Sequence, residues 1–164
     1  MPPLHTFDVD LAWSGARGVG TTSYTSYGRD HELRAPGRPP LPGTSDPAFR
    51  GDPTRWCPED LMVGAVSQCH MLWFLHLAAE AGVTVVDYTD RATGTVRIEA
   101  AGHGQFRDVV LRPQVTVAAG TTASGVEITD DLLDRLHERS SEHCFIVRSV
   151  SYPVHVRPGP FIVA

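Results

Sequence analysis

The sequence predicts an α+β fold, on three observations. Segments with the two-residue alternation of strands and segments with helical periodicity both occur. They run in the order strands, buried helix, strands, helix, strand, not in the regular strand–helix alternation of a parallel doubly wound sheet. No internal repeat and no phosphate-binding glycine loop interrupts them. A chain of 164 residues, 41% of them hydrophobic, is long enough for a single domain with its own core.

Thr6 to Trp13 sets Phe7, Val9, Leu11 and Trp13 against Asp8, Asp10 and Ala12, the period of a half-buried strand. A second strand is expected over Thr22 to Tyr27, after a Gly-rich turn. Residues 34–58 carry Pro36, Pro39, Pro40, Pro42, Pro47 and Pro53, too many for a central strand or a helix. An ordered surface loop is the expectation there, because the piece before it is too small to be a domain of its own.

The main helix starts at Pro58, suited to the first helical position, with Glu59 and Asp60 at the positive end of its dipole. Gly82 ends it as a C-cap. From Leu61 to Leu77 it carries no charge and is apolar on nearly every face, so it should be buried, wrapped by sheet or by another chain. Val83 to Glu99 and Gln105 to Ala118 read as two long strands around the turn Ala101-Gly102-His103-Gly104. Asp130 and Asp131 open a second helix, with Leu132, Leu133 and Leu136 on one face, running toward Cys144. A last strand is expected over Val154 to Arg157.

The net charge of −5, from 14 basic and 19 acidic residues with no basic block, argues against nucleic acid and against anionic membranes as partners. Small molecules and protein partners remain. The start, MPPLHTFDVD, has neither the basic nor the apolar region of a signal peptide, and no stretch reads as the roughly 18 uncharged apolar residues of a membrane span. A cytoplasmic protein is therefore expected. Its three cysteines, Cys57, Cys69 and Cys144, are odd in number and widely spaced, unlike a secreted disulfide framework.

Cys69, in SQCHMLWFLHLAAEAG, could be a metal ligand, a nucleophile or a small core residue. His70 and His76 lack the i, i+4 spacing of a helical zinc pair and read as core or interface histidines. Adjacent ligands in Cys69-His70 and His143-Cys144 offer no usual metal spacing either.

The run PEDLMVGAVSQCHMLWFLHLAAEAGVTVVDYTDRATG, followed by HERSSEHCFIVRSV, resembles the OsmC/Ohr family of osmotically inducible and organic hydroperoxide resistance proteins. The matching pattern is Pro58, Glu59 and Leu61 at the head of the helix, Cys69 ten residues after the glutamate, and Cys144 in the second helix. The likeness extends from about Thr22 to Val156. CHMLWFLHLA and CFIVRSV place it nearer the OsmC-like branch than the Ohr branch, whose second cysteine is typically followed by proline. The resemblance implies an OsmC-like fold, an antiparallel sheet wrapped around a long buried central helix, in an intertwined homodimer. It also implies a peroxidase for organic hydroperoxides that uses no metal, flavin or other cofactor, and an external dithiol reductant, dihydrolipoyl groups in the family.

By the same resemblance, Cys69 is the peroxidatic thiol, Cys144 the resolving thiol, and Glu59 the partner of an arginine. Tyr27-Gly28-Arg29-Asp30 resembles the family's Gly-Arg context, which points to Arg29. Cys57 departs from the family, which more often has asparagine before the proline; it is either a weak N-cap substitute or a third redox thiol. The alternative function is a non-catalytic member that holds an apolar ligand in its dimer crevice.

The chemistry is coherent. A buried thiol needs a nearby cation to favour its thiolate, and a carboxylate beside the arginine fixes the guanidinium plane. The sulfenic acid left by peroxide condenses with a second thiol, which blocks over-oxidation. On one helix, ten residues separate Glu59 from Cys69 by about 15 Å and turn one about 280° from the other. A site using both therefore draws on two subunits, as in a two-fold homodimer.

Overall fold

The computed structural model describes residues 3–100 and 102–164, so Ala101 of the expected turn lies outside the described residues. The chain divides into two compact units, one ending at Leu61 and one beginning at Met62.

The first unit is built on a three-stranded antiparallel sheet of β1 (Asp10–Trp13), β2 (His31–Arg34) and β3 (Leu41–Gly43), in that order. Two expectations are corrected here. The first strand covers only Asp10–Trp13 and is exposed along its length, with Phe7 84% and Leu11 64% accessible. Alternation marks a face meant to be covered; it does not say that the same chain covers it. Thr22 to Tyr27 is a turn, not a strand, closed by the Ser26 hydroxyl on the carbonyls of Gly20 (2.7 Å) and Ser23 (2.9 Å). Serine hydroxyls compete in this way with ladder hydrogen bonds. The Pro-rich stretch supplies only β3, an edge strand that tolerates Pro42, and a short 3₁₀ turn over Pro47–Phe49, which Asp46 caps at Ala48 N (2.6 Å).

Helix α1 (Pro58–Glu80) has the expected ends. Cys57 stands at its N-cap, and Asp60 Oδ2 accepts from both the Cys57 backbone N–H (3.3 Å) and its thiol (3.1 Å), one arm of a capping box. At the other end Gly82, at φ 71°, bonds back to Ala79 O (3.1 Å) and Val83 N to Ala78 O (2.9 Å), a Schellman closure that a side chain at position 82 would strain.

All-round burial is not observed. Within the chain α1 buries one stripe, Val66, His70, Phe74, Leu77 and Ala78, while Met62 (39%) and Leu72 (59%) stay exposed. By length and composition α1 also passes as a membrane span, contrary to the sequence reading; core helices of folded proteins pass the same test.

In the second unit, the two long strands expected over residues 83–99 and 105–118 are each broken. β4 (Val85–Asp90) pairs with β7 (Pro113–Val117), and β5 (Thr93–Ile98) with β6 (Gly104–Leu111). The break occurs where Asp90 accepts from Ser67 Oγ and from Arg112 N, both at 2.6 Å, while the Arg112 guanidinium bonds Arg91 O and Thr93 Oγ1. The antiparallel expectation is also modified: β8 (Val154–Val156) joins β6 in parallel, and β9 (Ile162–Val163), beyond the last expected strand, joins β7 in parallel. The sheets are therefore mixed, in orders β4-β7-β9 and β5-β6-β8.

α2 (Asp130–His143) is capped by the Thr129 hydroxyl on Leu132 N (3.2 Å). Its Leu133 and Leu136 join Phe74, Leu77, Ala78, Val83, Val115, Val117 and Ile128 in the larger core. A smaller core sets Val66 against Val109 and Leu111. α1 approaches β5 closely there, since a Cβ on Gly94 would lie 2.5 Å from Val63 Cγ2. Running between the helices is a buried polar spine: His70 Nε2 meets His137 Nδ1 at 3.0 Å, His70 Nδ1 lies 3.4 Å from Ser141 Oγ, and Phe74 stacks on His137 with centroids 4.1 Å apart.

Candidate functional site

Cys69 lies near the middle of α1 and is half-buried; Cys144 is the C-cap residue of α2 and is fully buried. Cys69 is a neighbour of the Cys144 thiol, although 75 positions away in sequence. The turn after α2 holds Cys144 firmly: its N–H bonds Ser140 O (2.9 Å), its carbonyl accepts from Arg148 N (3.0 Å), and its sulfur accepts from Val147 N (3.4 Å). Burial, and then the neighbouring Cys69, push the Cys144 thiol up to about 11, so it is protonated at neutral pH. Access thus distinguishes the two sulfurs. Both thiols are free.

The helical face that carries Cys69 continues through Leu72, Trp73 and His76 at the i+3, i+4 and i+7 positions. Trp73 meets Phe145, the residue after Cys144, edge to face at 5.8 Å, and His143 at 5.1 Å. Leu72, Trp73, His76 and Phe145 line an open crevice of about 360 Å³, mostly apolar. The sequence reading took Trp73 as general helix hydrophobicity and did not single out Phe145; the spacing from each cysteine was the available signal. His70 points into the core, as expected, whereas His76 is exposed and pairs with Glu80 (3.4 Å).

Arg29 is held within its own unit. Its guanidinium donates to Tyr27 O (2.7 Å) and Tyr24 O (3.0 Å) and lies over both tyrosine rings, 4.1 and 4.4 Å from their centroids. Among the described residues no ion pair joins it to Glu59. Glu59 is half-buried, and its Oε2 is a buried oxygen with no hydrogen-bond partner among the described residues. Burial, with the Asp60 and Glu59 carboxylates adding to it, lifts the Cys57 thiol to about 11, which suits a capping residue and not a reactive thiolate.

The comparisons with known proteins agree with this architecture. The family model for OsmC-like protein matches residues 51–158. A solved OsmC-like protein of unknown function from Vibrio cholerae O1 biovar eltor str. N16961 is 28% identical, with a TM-score of 0.83 over 95% of this chain and 100% of that one. An organic hydroperoxide resistance protein from Elizabethkingia anophelis shares the fold at 14% identity and a TM-score of 0.68, over 99% of both chains. One from Legionella pneumophila does so at 13% identity and a TM-score of 0.67, again over 99% of both. No curated protein matches the sequence. With a family model covering both cysteines and both helices, the chain belongs to the OsmC-like protein family.

Proposed function

We propose that the protein is a thiol-dependent peroxidase that reduces organic hydroperoxides in the cytoplasm. The observation that carries this reading is the apposition of the Cys69 and Cys144 thiols. Cys69, the more accessible sulfur, attacks the terminal peroxide oxygen; the O–O bond breaks, the alcohol leaves with a proton, and Cys69 becomes a sulfenic acid. Cys144 then attacks that sulfur, a disulfide forms and water leaves. An external dithiol, of the dihydrolipoyl type, takes over the disulfide and restores both thiols, so the cycle draws its electrons from thiols and needs no metal or flavin. The crevice of Leu72, Trp73, His76 and Phe145 suits the carbon body of an organic peroxide, which hydrogen peroxide lacks.

The working unit is a homodimer in this proposal. Glu59 Oε2 is buried without a partner among the described residues, a costly state for a carboxylate, and α1 and β1 leave apolar side chains exposed. A second copy would cover them and bring a cation such as Arg29 to Glu59, completing composite sites.

The test is to mix reduced protein with cumene hydroperoxide or with hydrogen peroxide and weigh the intact chain. The expected result is loss of two hydrogens, as one internal disulfide forms, faster with the organic peroxide. Thiols unchanged in excess cumene hydroperoxide would leave instead a non-catalytic protein that holds an apolar ligand in the crevice.

A further inference from the structure

The two sulfurs that would share a disulfide differ in what can reach them. Cys144 is fully buried and closes α2. Its N–H bonds Ser140 O (2.9 Å), its carbonyl accepts from Arg148 N (3.0 Å), and its sulfur accepts from Val147 N (3.4 Å). Cys69 keeps accessible surface on α1, on the face that leads to the exposed side chain of Leu72.

Thiol–disulfide exchange is an in-line displacement, in which the attacking sulfur enters opposite the sulfur that leaves. A reductant attacking Cys69 comes from the side away from Cys144, at a residue with accessible surface. Attack at Cys144 would need an opening behind a residue that has none, at the anchored end of α2.

The Val147 N–H already faces the sulfur that then leaves. Its bond to a neutral thiol becomes charge-assisted once Cys144 carries the negative charge of a leaving group. Burial works the other way: it raises the Cys144 thiol to about 11 and so slows its departure. Access decides between these effects, because Cys69 gains nothing from being the better leaving group while no thiolate can touch Cys144.

We propose that the dithiol reductant attacks the disulfide at Cys69 Sγ, making its covalent intermediate on Cys69 and expelling Cys144 as a thiolate received by the Val147 N–H. The step belongs to the cycle proposed above and rests on it. A reductant thiol loses its proton and its sulfur bonds Cys69 Sγ. The Cys69–Cys144 bond breaks, and its electron pair stays on Cys144 Sγ, which takes up a proton. The second reductant thiol then attacks the reductant's own sulfur in the mixed disulfide. Cys69 is released as a thiolate, the reductant departs as a cyclic disulfide, and two electrons have passed to the protein. Peroxide and reductant thus use the same sulfur in turn, and Cys144 never meets either of them.

The test starts from full-length protein oxidised with diamide, which does not depend on peroxide activity, and peptide mapping verifies the Cys69–Cys144 link. Excess mercaptoethanol, a monothiol that cannot close a ring, is added. Samples are acid-quenched over a time course, free thiols are alkylated with N-ethylmaleimide, and each cysteine peptide is weighed. Extrapolated to zero time, the mercaptoethanol adduct on Cys69 with alkylated Cys144 should exceed the reverse pattern by about tenfold or more. An adduct mainly on Cys144, equal labelling of the two, or a diamide product without the Cys69–Cys144 link would each overturn the proposal. A Cys69 adduct in a protein that ignores cumene hydroperoxide would instead overturn the peroxidase reading and leave the direction of attack standing.

Discussion

Acid should destabilise this protein through the buried His70–His137 pair. Both rings are buried, and burial, the main cause in each case, depresses them from 6.5 to about 4 for His70 and about 3 for His137. The charge of His70 disfavours a proton on His137 further, and Asp90 opposes part of the depression at His70. A depressed histidine carries no penalty above its unfolded value, near 6.5, and lowers stability as pH falls below it. From there down to about pH 4 the unfolded chain holds two protons that the fold refuses, so stability should drop by about 2.7 kcal/mol per pH unit. Two such units approach about 5 kcal/mol, a large part of the 5–15 kcal/mol typical of a domain. The double variant His70→Leu/His137→Leu removes both titrating rings and leaves Asp90, Asp134 and Glu138 in place. Urea unfolding at fixed protein concentration, stepped from neutral pH to pH 4, should give a steeper acid limb for the parent than for the variant. Parallel limbs would refute the reasoning.

Three other outcomes follow from the described contacts. Cys69→Ser should abolish peroxide consumption, whereas Cys144→Ser should complete one turnover and leave Cys69 as sulfenic or sulfinic acid by intact mass; normal turnover with dithiol would remove Cys144 from the resolving role. Mixing Cys69→Ser chains with Glu59→Gln chains should restore activity by subunit exchange, since one site of each heterodimer then carries no defect; a monomer by light scattering, or activity no higher than the parental average, rules out a shared site. Phe74→Ala should cost about 3–5 kcal/mol in urea unfolding, because the ring is fully buried and stacks on His137.

Helix ends were the most legible features of the sequence, because their signals are local: Pro58, Gly82 and the acidic pair at 130–131 marked α1 and α2 within a residue or two. Strand breaks were not legible. Alternation runs through residues 85–98 without saying that the partner changes at Asp90, a decision made by hydrogen bonds to Ser67 and Arg112. The three-residue β8 and two-residue β9 are similarly defined by parallel neighbours and not by their own pattern. Position 137 could be placed on the inner face of α2 from its spacing to Leu133, Leu136 and Ser140, but its pairing with a histidine 67 residues earlier is purely tertiary. Burial of α1 was misjudged for a related reason: apolarity on every side says that each face wants cover, and a single chain of this size covers one stripe.

The doubly occupied carboxylate of Asp90 governs more than a bend. One oxygen holds the middle of α1 through Ser67 and the other holds the backbone of Arg112, so the alignment of both strand pairs is set at the switch between sheets. A slip of one residue would empty one of these bonds and turn Val109 and Leu111, both fully buried, toward water. Alignment fixed at that end leaves little for the far turn between β5 and β6 to decide. That turn is consequently a place where extra residues, a spectroscopic label or a fused peptide can be inserted while the strands keep their partners.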